Sequence, residues 1–166
     1  MEYKLHLTYK VGECVKTATG ANNDFDISIK EGDSTLKAVL TPKAPLSVLD
    51  FYIETDYHFM PESKFFANGF QSWTDTKEFS SYERMPGLGL IGKSPYGKIF
   101  GLQYVGDYTF VKPEQGPGRF HSLSFAYIRN GEEIELFGSL TDRTGYTIIY
   151  ADMNNDTLRF SKDLEG

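Results

Sequence analysis

The chain has 166 residues and a mass of 18.8 kDa, which suits one domain that can bury a hydrophobic core without covalent cross-links. Seventeen basic residues against 23 acidic ones give a net charge of −6. We therefore expect neither nucleic acid nor membrane as a partner, because both attract clustered Lys and Arg. The single cysteine, Cys14, excludes an internal disulfide and a cysteine-based metal cluster.

Alternation of apolar and polar residues, the pattern of a half-buried strand, begins at the amino terminus and recurs along the chain. Tyr3, Leu5, Leu7 and Tyr9 form one apolar face, and His6 falls on the polar face. The same period predicts further strands at Phe25–Ile29, Thr35–Thr41, Leu46–Glu54, Lys98–Val105, Ser122–Arg129, Glu133–Gly138, Tyr146–Tyr150 and Thr157–Ser161.

Helical periodicity is weak, and only Lys77–Arg84 is expected to form a turn or two of helix. The segment Pro86–Gly97, with four glycines and two prolines, predicts a long loop. Many short strands separated by turn residues predict an all-β fold, an antiparallel β-sandwich with few or no helices.

The clearest turn is Asn130-Gly131, because both residues tolerate the positive φ angles of a two-residue hairpin. Pairing outward from it places Tyr127 opposite Ile134 and Phe125 opposite Leu136. These four side chains share one apolar face, which we expect to be buried.

Several other motifs indicate structure rather than chemistry. His6, His58 and His121 have no zinc-ligand spacing and are expected at the surface or in loops. Asp152–Asp156 has oxygen ligands at the spacing of a calcium loop but lacks its glycine, which favours a polar hairpin loop. Gly87–Gly92 matches a dinucleotide-binding fingerprint without the helix that should follow it. No cofactor and no metal are therefore expected.

The segment 65–76 contains the only tryptophan of the chain. By alternation, Phe66 and Phe70 lie on the apolar face, whereas Ala67 and Trp73 lie on the other. An indole among amides and hydroxyls suits a sugar, which stacks on the ring while polar groups bind its hydroxyls. A core Trp whose indole N–H finds a partner is the alternative.

The residues Asn68-Gly69-Phe70-Gln71-Ser72-Trp73 resemble a motif in the amino-terminal domain of α-galactosidases of glycoside hydrolase family thirty-six. Shorter stretches with a similar likeness follow in the same order along the chain: Met85–Gly89, Ile99–Leu102, Phe125–Ile128, Leu136–Ser139 and Thr144–Thr147. The resemblance implies a β-supersandwich similar to galactose mutarotase, packed on a catalytic (β/α)₈ barrel with two catalytic aspartates.

The family's catalytic Lys-x-Asp motif does not occur in residues 1–166, and a barrel needs about 250 residues. The chain is thus expected to be a single amino-terminal domain or a fragment of it, without catalytic residues of its own. By position in the motif, Trp73 would reach the rim of the barrel's sugar pocket, with Gln71, Ser72 and Asn68 beside it.

The partners that the resemblance implies are the catalytic barrel, α-galactosides bound by the parent enzyme, and a possible homo-oligomer. Two other classes of protein stay open: a free-standing carbohydrate-binding β-sandwich module, and a small-ligand barrel or unrelated enzyme. Because Met1–Leu7 lacks the apolar run of a signal peptide, we expect a cytoplasmic location.

Overall fold

The computed structural model describes residues 3–69, 76–85, 94–99, 116–141 and 145–164. Within them the chain is mostly β-structure with one short helix, α1, at Pro95–Ile99. The strands are β1 Tyr3–Val11, β2 Cys14–Ala18, β3 Phe25–Glu31, β4 Leu36–Pro42, β5 Ser47–Asp56, β6 Lys64–Ala67, β7 Lys77–Ser80, β8 Arg119–Leu123, β9 Phe125–Asn130, β10 Glu133–Gly138, β11 Thr147–Asp152 and β12 Thr157–Lys162.

These strands pair antiparallel in three sheets, which confirms the predicted all-β sandwich. The largest sheet has six strands in the order β2-β1-β5-β12-β11-β8. A four-stranded sheet has the order β10-β9-β6-β7, and β3 and β4 form a separate hairpin.

One face of the six-stranded sheet contributes to the two larger hydrophobic cores. Toward β8, β11 and β12, its side chains pack against the four-stranded sheet, where Phe65, Phe79 and Phe120 stack with ring centroids 4.7 and 6.1 Å apart. Toward β1 and β5, the same face packs against the β3–β4 hairpin around Tyr9 and Phe25. The opposite face carries a smaller buried cluster, Leu123 and Ile148 on β8 and β11, and beside it a row of charged and aromatic side chains.

The β9–β10 hairpin departs from its predicted register by two residues. Of the two predicted turn residues, Asn130 and Gly131, only Gly131 has a positive φ, and the turn consists of Gly131 and Glu132. As a result, Leu136 lies opposite Tyr127 instead of Phe125. A shift of two keeps the same residues on one face, and the four predicted side chains do share it. That face is exposed, however, because the core takes Ala126 and Ile128 from the other side of β9.

Strand β6 also turns its predicted apolar face outward. Phe65 and Ala67 enter the core, whereas Phe66 lies on the outer surface of the four-stranded sheet. Adjacent phenylalanines satisfy either phase of the alternation, so the sequence could not choose between them. The predicted helical turn at Lys77–Arg84 is wrong at its start, where Lys77–Ser80 forms β7 beside β6.

Three further predictions are corrected. The single strand predicted at Ser122–Arg129 is broken at Ser124, whose φ of 64° is outside the range of a strand and separates β8 from β9. The strand predicted at Lys98–Val105 does not begin as expected, because Lys98 and Ile99 belong to α1, and its residues 100–105 lie outside the described ranges. The same helix replaces the end of the loop predicted at Pro86–Gly97. Strands β2 and β6 were not predicted.

Candidate functional site

The motif that contains Trp73 begins at Asn68, just after β6. The Asn68 backbone N–H donates to the Ser122 hydroxyl at 2.7 Å, and its side-chain Nδ2 donates to the Leu123 carbonyl at 2.9 Å. In return the Leu123 backbone N–H donates to the Asn68 carbonyl at 3.1 Å. Three hydrogen bonds thus fix the start of the motif on the end of β8.

The two ends of the segment 70–75 are also tied to one another. The Gly69 backbone N–H donates to the Thr76 hydroxyl at 3.0 Å, so the residues on either side of the segment lie close together. Gln71, Ser72 and Trp73, the other predicted rim residues, lie outside the described ranges. Their roles and that of Asn68 at a sugar pocket stay predictions.

Ser122 holds this base in place from inside the sandwich. It is fully buried, and its hydroxyl accepts from Asn68 while donating to the Phe125 carbonyl. One hydroxyl therefore links the end of β6 to the corner between β8 and β9. A buried hydroxyl with both roles filled costs little to desolvate and defines the local geometry.

An exposed apolar surface begins beside this base. We call it the outer apolar face, and it consists of side chains on β6, β9 and β10: Phe66, Phe125, Tyr127, Ile134 and Leu136. Leu136 is 68% exposed, Ile134 60% and Phe125 40%. The Phe66 ring stacks on Tyr127 at 4.5 Å and lies 6.0 Å from Phe125. Contiguous apolar surface of this kind is typical of an interaction site.

A charged group borders the outer apolar face on β7. Glu78 accepts hydrogen bonds from Arg129 Nε at 2.8 Å and from the Tyr127 hydroxyl at 3.0 Å. The Arg129 guanidinium, followed by Tyr127, holds the pKa of this carboxyl below its usual range, although burial opposes the shift. The rim is therefore ionised at neutral pH, and it orients the ring of Tyr127.

The three histidines have different surroundings. His6 lies on the polar face of β1, as predicted, and stacks on Tyr52 at 4.4 Å. His58 is exposed and lies 3.1 Å from the Asp156 carboxylate. His121 is 3% exposed within β8, so its predicted surface position is wrong. Asp152–Asp156 forms the polar turn between β11 and β12, as predicted.

Among the described residues, no group of three or more His, Cys, Asp or Glu side chains could hold a metal ion. No helix in the same ranges is both long and apolar enough to cross a membrane. Comparison with protein-family models, with curated proteins and with solved structures gives no match to this chain.

Proposed function

We propose that this chain is the non-catalytic amino-terminal domain of an α-galactosidase-like glycoside hydrolase. In this proposal it packs on a catalytic (β/α)₈ barrel and lends Trp73 to the rim of the barrel's sugar pocket. The observation that carries the proposal is the fixed base at Asn68, from which the motif resembling that family departs. A side chain that positions substrate for a neighbouring domain needs such a base, because small displacements are costly in rate.

The outer apolar face supports the packing part of the proposal. It is continuous with the base of the motif, because Phe66 precedes Asn68 by two residues and the Phe125 carbonyl accepts a hydrogen bond from the Ser122 hydroxyl. A barrel seated there would cover Ile134 and Leu136 and remove their apolar surface from water, which favours association. Glu78 and Arg129 would lie at the polar rim of that interface.

The chemistry would belong to the barrel. Retaining hydrolysis requires two carboxyl groups about 5–5.5 Å apart on either side of the glycosidic bond. In this proposal Trp73 excludes water and orients the sugar, while Gln71 and Ser72 support the indole. The chain alone is then expected to show no turnover of an aryl α-galactoside.

The decisive experiment is Trp73→Ala, measured both in the 166-residue chain and in the enzyme encoded by the reading frame continued past Gly166. In the chain we expect a loss of only about 1 kcal/mol of stability, against roughly 3–5 kcal/mol for a buried aromatic. In the enzyme we expect kcat/KM to fall about tenfold or more, since 1.4 kcal/mol corresponds to a factor of ten.

Tyr82→Ala is the matched control, because Tyr82 is 77% exposed and outside the motif. It should leave both stability and kcat/KM unchanged. A reading frame that encodes no barrel would refute the proposal, as would a Trp73→Ala chain that unfolds while the enzyme keeps its specific activity. Saturable sugar binding by the chain alone, lost in Trp73→Ala, would instead favour a carbohydrate-binding module.

A further inference from the structure

A polar and aromatic cluster lies on the face of the six-stranded sheet opposite the two larger cores, beside the buried pair Leu123 and Ile148. The Arg159 guanidinium on β12 lies between two tyrosine rings, with its carbon 4.2 Å from the centroid of Tyr150 and 5.3 Å from that of Tyr52. His6 stacks on the far side of this row against Tyr52. Cation–π stacking holds the planar guanidinium in one orientation, which orders its N–H donors in advance.

The cross-strand neighbour of Arg159 is a glutamate. The antiparallel register of β5 and β12 pairs Glu54 with Arg159, so both side chains project from the same face. Glu54 makes no hydrogen bond or ion pair with any other residue in the described ranges. An acceptor and a donor of opposite charge therefore lie next to each other at the surface.

Both groups line a shallow cavity of about 210 Å³, with Tyr150 as its aromatic wall. The β11–β12 turn closes one end with Asn155 and Thr157. That end is rigid because the Asp152 carboxylate accepts from Arg119 Nε at 3.0 Å and from Asn155 Nδ2 at 2.8 Å. The volume is below the roughly 300 Å³ at which pockets for drug-sized ligands begin, which limits the ligand to about one ring.

We infer that this cavity binds a single polyhydroxylated ring, such as a monosaccharide or the terminal residue of a glycan. Two neighbouring hydroxyls can each donate to Glu54 and accept from Arg159, while the C–H face of the ring packs on Tyr150. Glu54 and Arg159 carry opposite charges, and the third charged lining residue, Asp152, is paired with Arg119, so the site offers little net attraction to an ionic ligand. The inference is independent of the proposed function, since it uses neither the motif nor the outer apolar face.

The test is a titration of the ¹⁵N-labelled 166-residue chain with methyl α-glycosides of galactose, glucose and mannose, followed by amide chemical shifts. For at least one glycoside we expect saturable shifts at Glu54, Tyr150 and Thr157, with a Kd of about 1 mM for so small a ligand. Tetrahydropyran-2-methanol, a ring without adjacent hydroxyls, should cause no saturable shift.

Glu54→Gln and Arg159→Lys should each weaken binding about tenfold, because each removes charge-assisted hydrogen bonds to the diol. Glu133→Gln, the same charge change on exposed β10, should bind like the parent chain. The inference fails if no glycoside saturates, or if Glu54→Gln binds as tightly as the parent. It also fails if Trp73→Ala abolishes the shifts, which would assign the binding to the motif.

Discussion

Phe65 and Phe66 offer a direct test of how the four-stranded sheet is oriented, because they are identical neighbours on opposite faces of β6. Phe65 is 0% exposed and stacks on Phe120 in the core, so Phe65→Ala removes a whole ring from between two sheets. We expect a loss of about 3–5 kcal/mol from lost burial and a residual cavity. Phe66 is half-buried and stacks on Tyr127 and Phe125 at the surface, so Phe66→Ala should cost only about 1–2 kcal/mol.

Urea unfolding followed by far-ultraviolet circular dichroism measures both variants, and an unchanged m-value shows that the comparison is valid. At about 2–4 °C per kcal/mol for a chain of this size, the melting temperature should fall by roughly 6–20 °C for Phe65→Ala and by 2–8 °C for Phe66→Ala. Equal losses, or a larger loss for Phe66→Ala, would mean that β6 has the opposite face in the core. The outer apolar face would then not exist as described.

Three further predictions concern titration and backbone geometry. Burial raises the pKa of Tyr57 from 10.0 to about 12, so the free energy of unfolding should fall as the pH rises from 10 to 12. Over the same pH range, the urea midpoint of Tyr57→Phe should fall less than that of the parent chain. The pKa of Glu78 is lowered, so the stability that its carboxylate contributes is present above pH 4.5 and is lost in more acidic solution. Between about pH 3 and 6, the melting temperature of Glu78→Gln should therefore depend less on pH than that of the parent chain. Gly118→Ala should destabilise by several kcal/mol, because a β-carbon there would lie 2.7 Å from the Ser81 carbonyl at φ +74°. Gly131→Ala, at φ +64° in open space, should cost only about 1–2 kcal/mol in the same thermal melts.

The sequence predicted elements well where a local pattern decides the structure. Glu133–Gly138 was predicted with the bounds of β10, and the polar turn at Asp152–Asp156 was predicted as well. The sequence did not predict which face of a strand is buried, because packing against residues far away in the chain determines it. Whether Phe65 or Phe66 enters the core depends on the six-stranded sheet, and the side of β9 that becomes apolar surface depends on what covers the other side.

The candidate sites show the same division. Asn68 could be identified from its motif, but its attachment to Ser122 and Leu123 joins segments that are far apart in the chain. The pairing of Glu54 with Arg159 likewise follows from the contact of β5 with β12. An alternating strand with Tyr52 and Glu54 on its polar face was the only local signal for that cavity, and many surface strands carry such residues.

The position of β12 has a consequence for biosynthesis. It is the last described strand along the chain, yet it lies inside the six-stranded sheet between β5 and β11. Until residues up to Lys162 have been synthesised, the sheet consists of two parts, β2-β1-β5 and β11-β8, each with an unpaired hydrogen-bonding edge. Such edges pair with other chains and promote aggregation. Completion of the sheet must therefore wait until the ribosome has released this strand, and a premature stop before Thr157 should yield aggregates instead of a smaller folded domain.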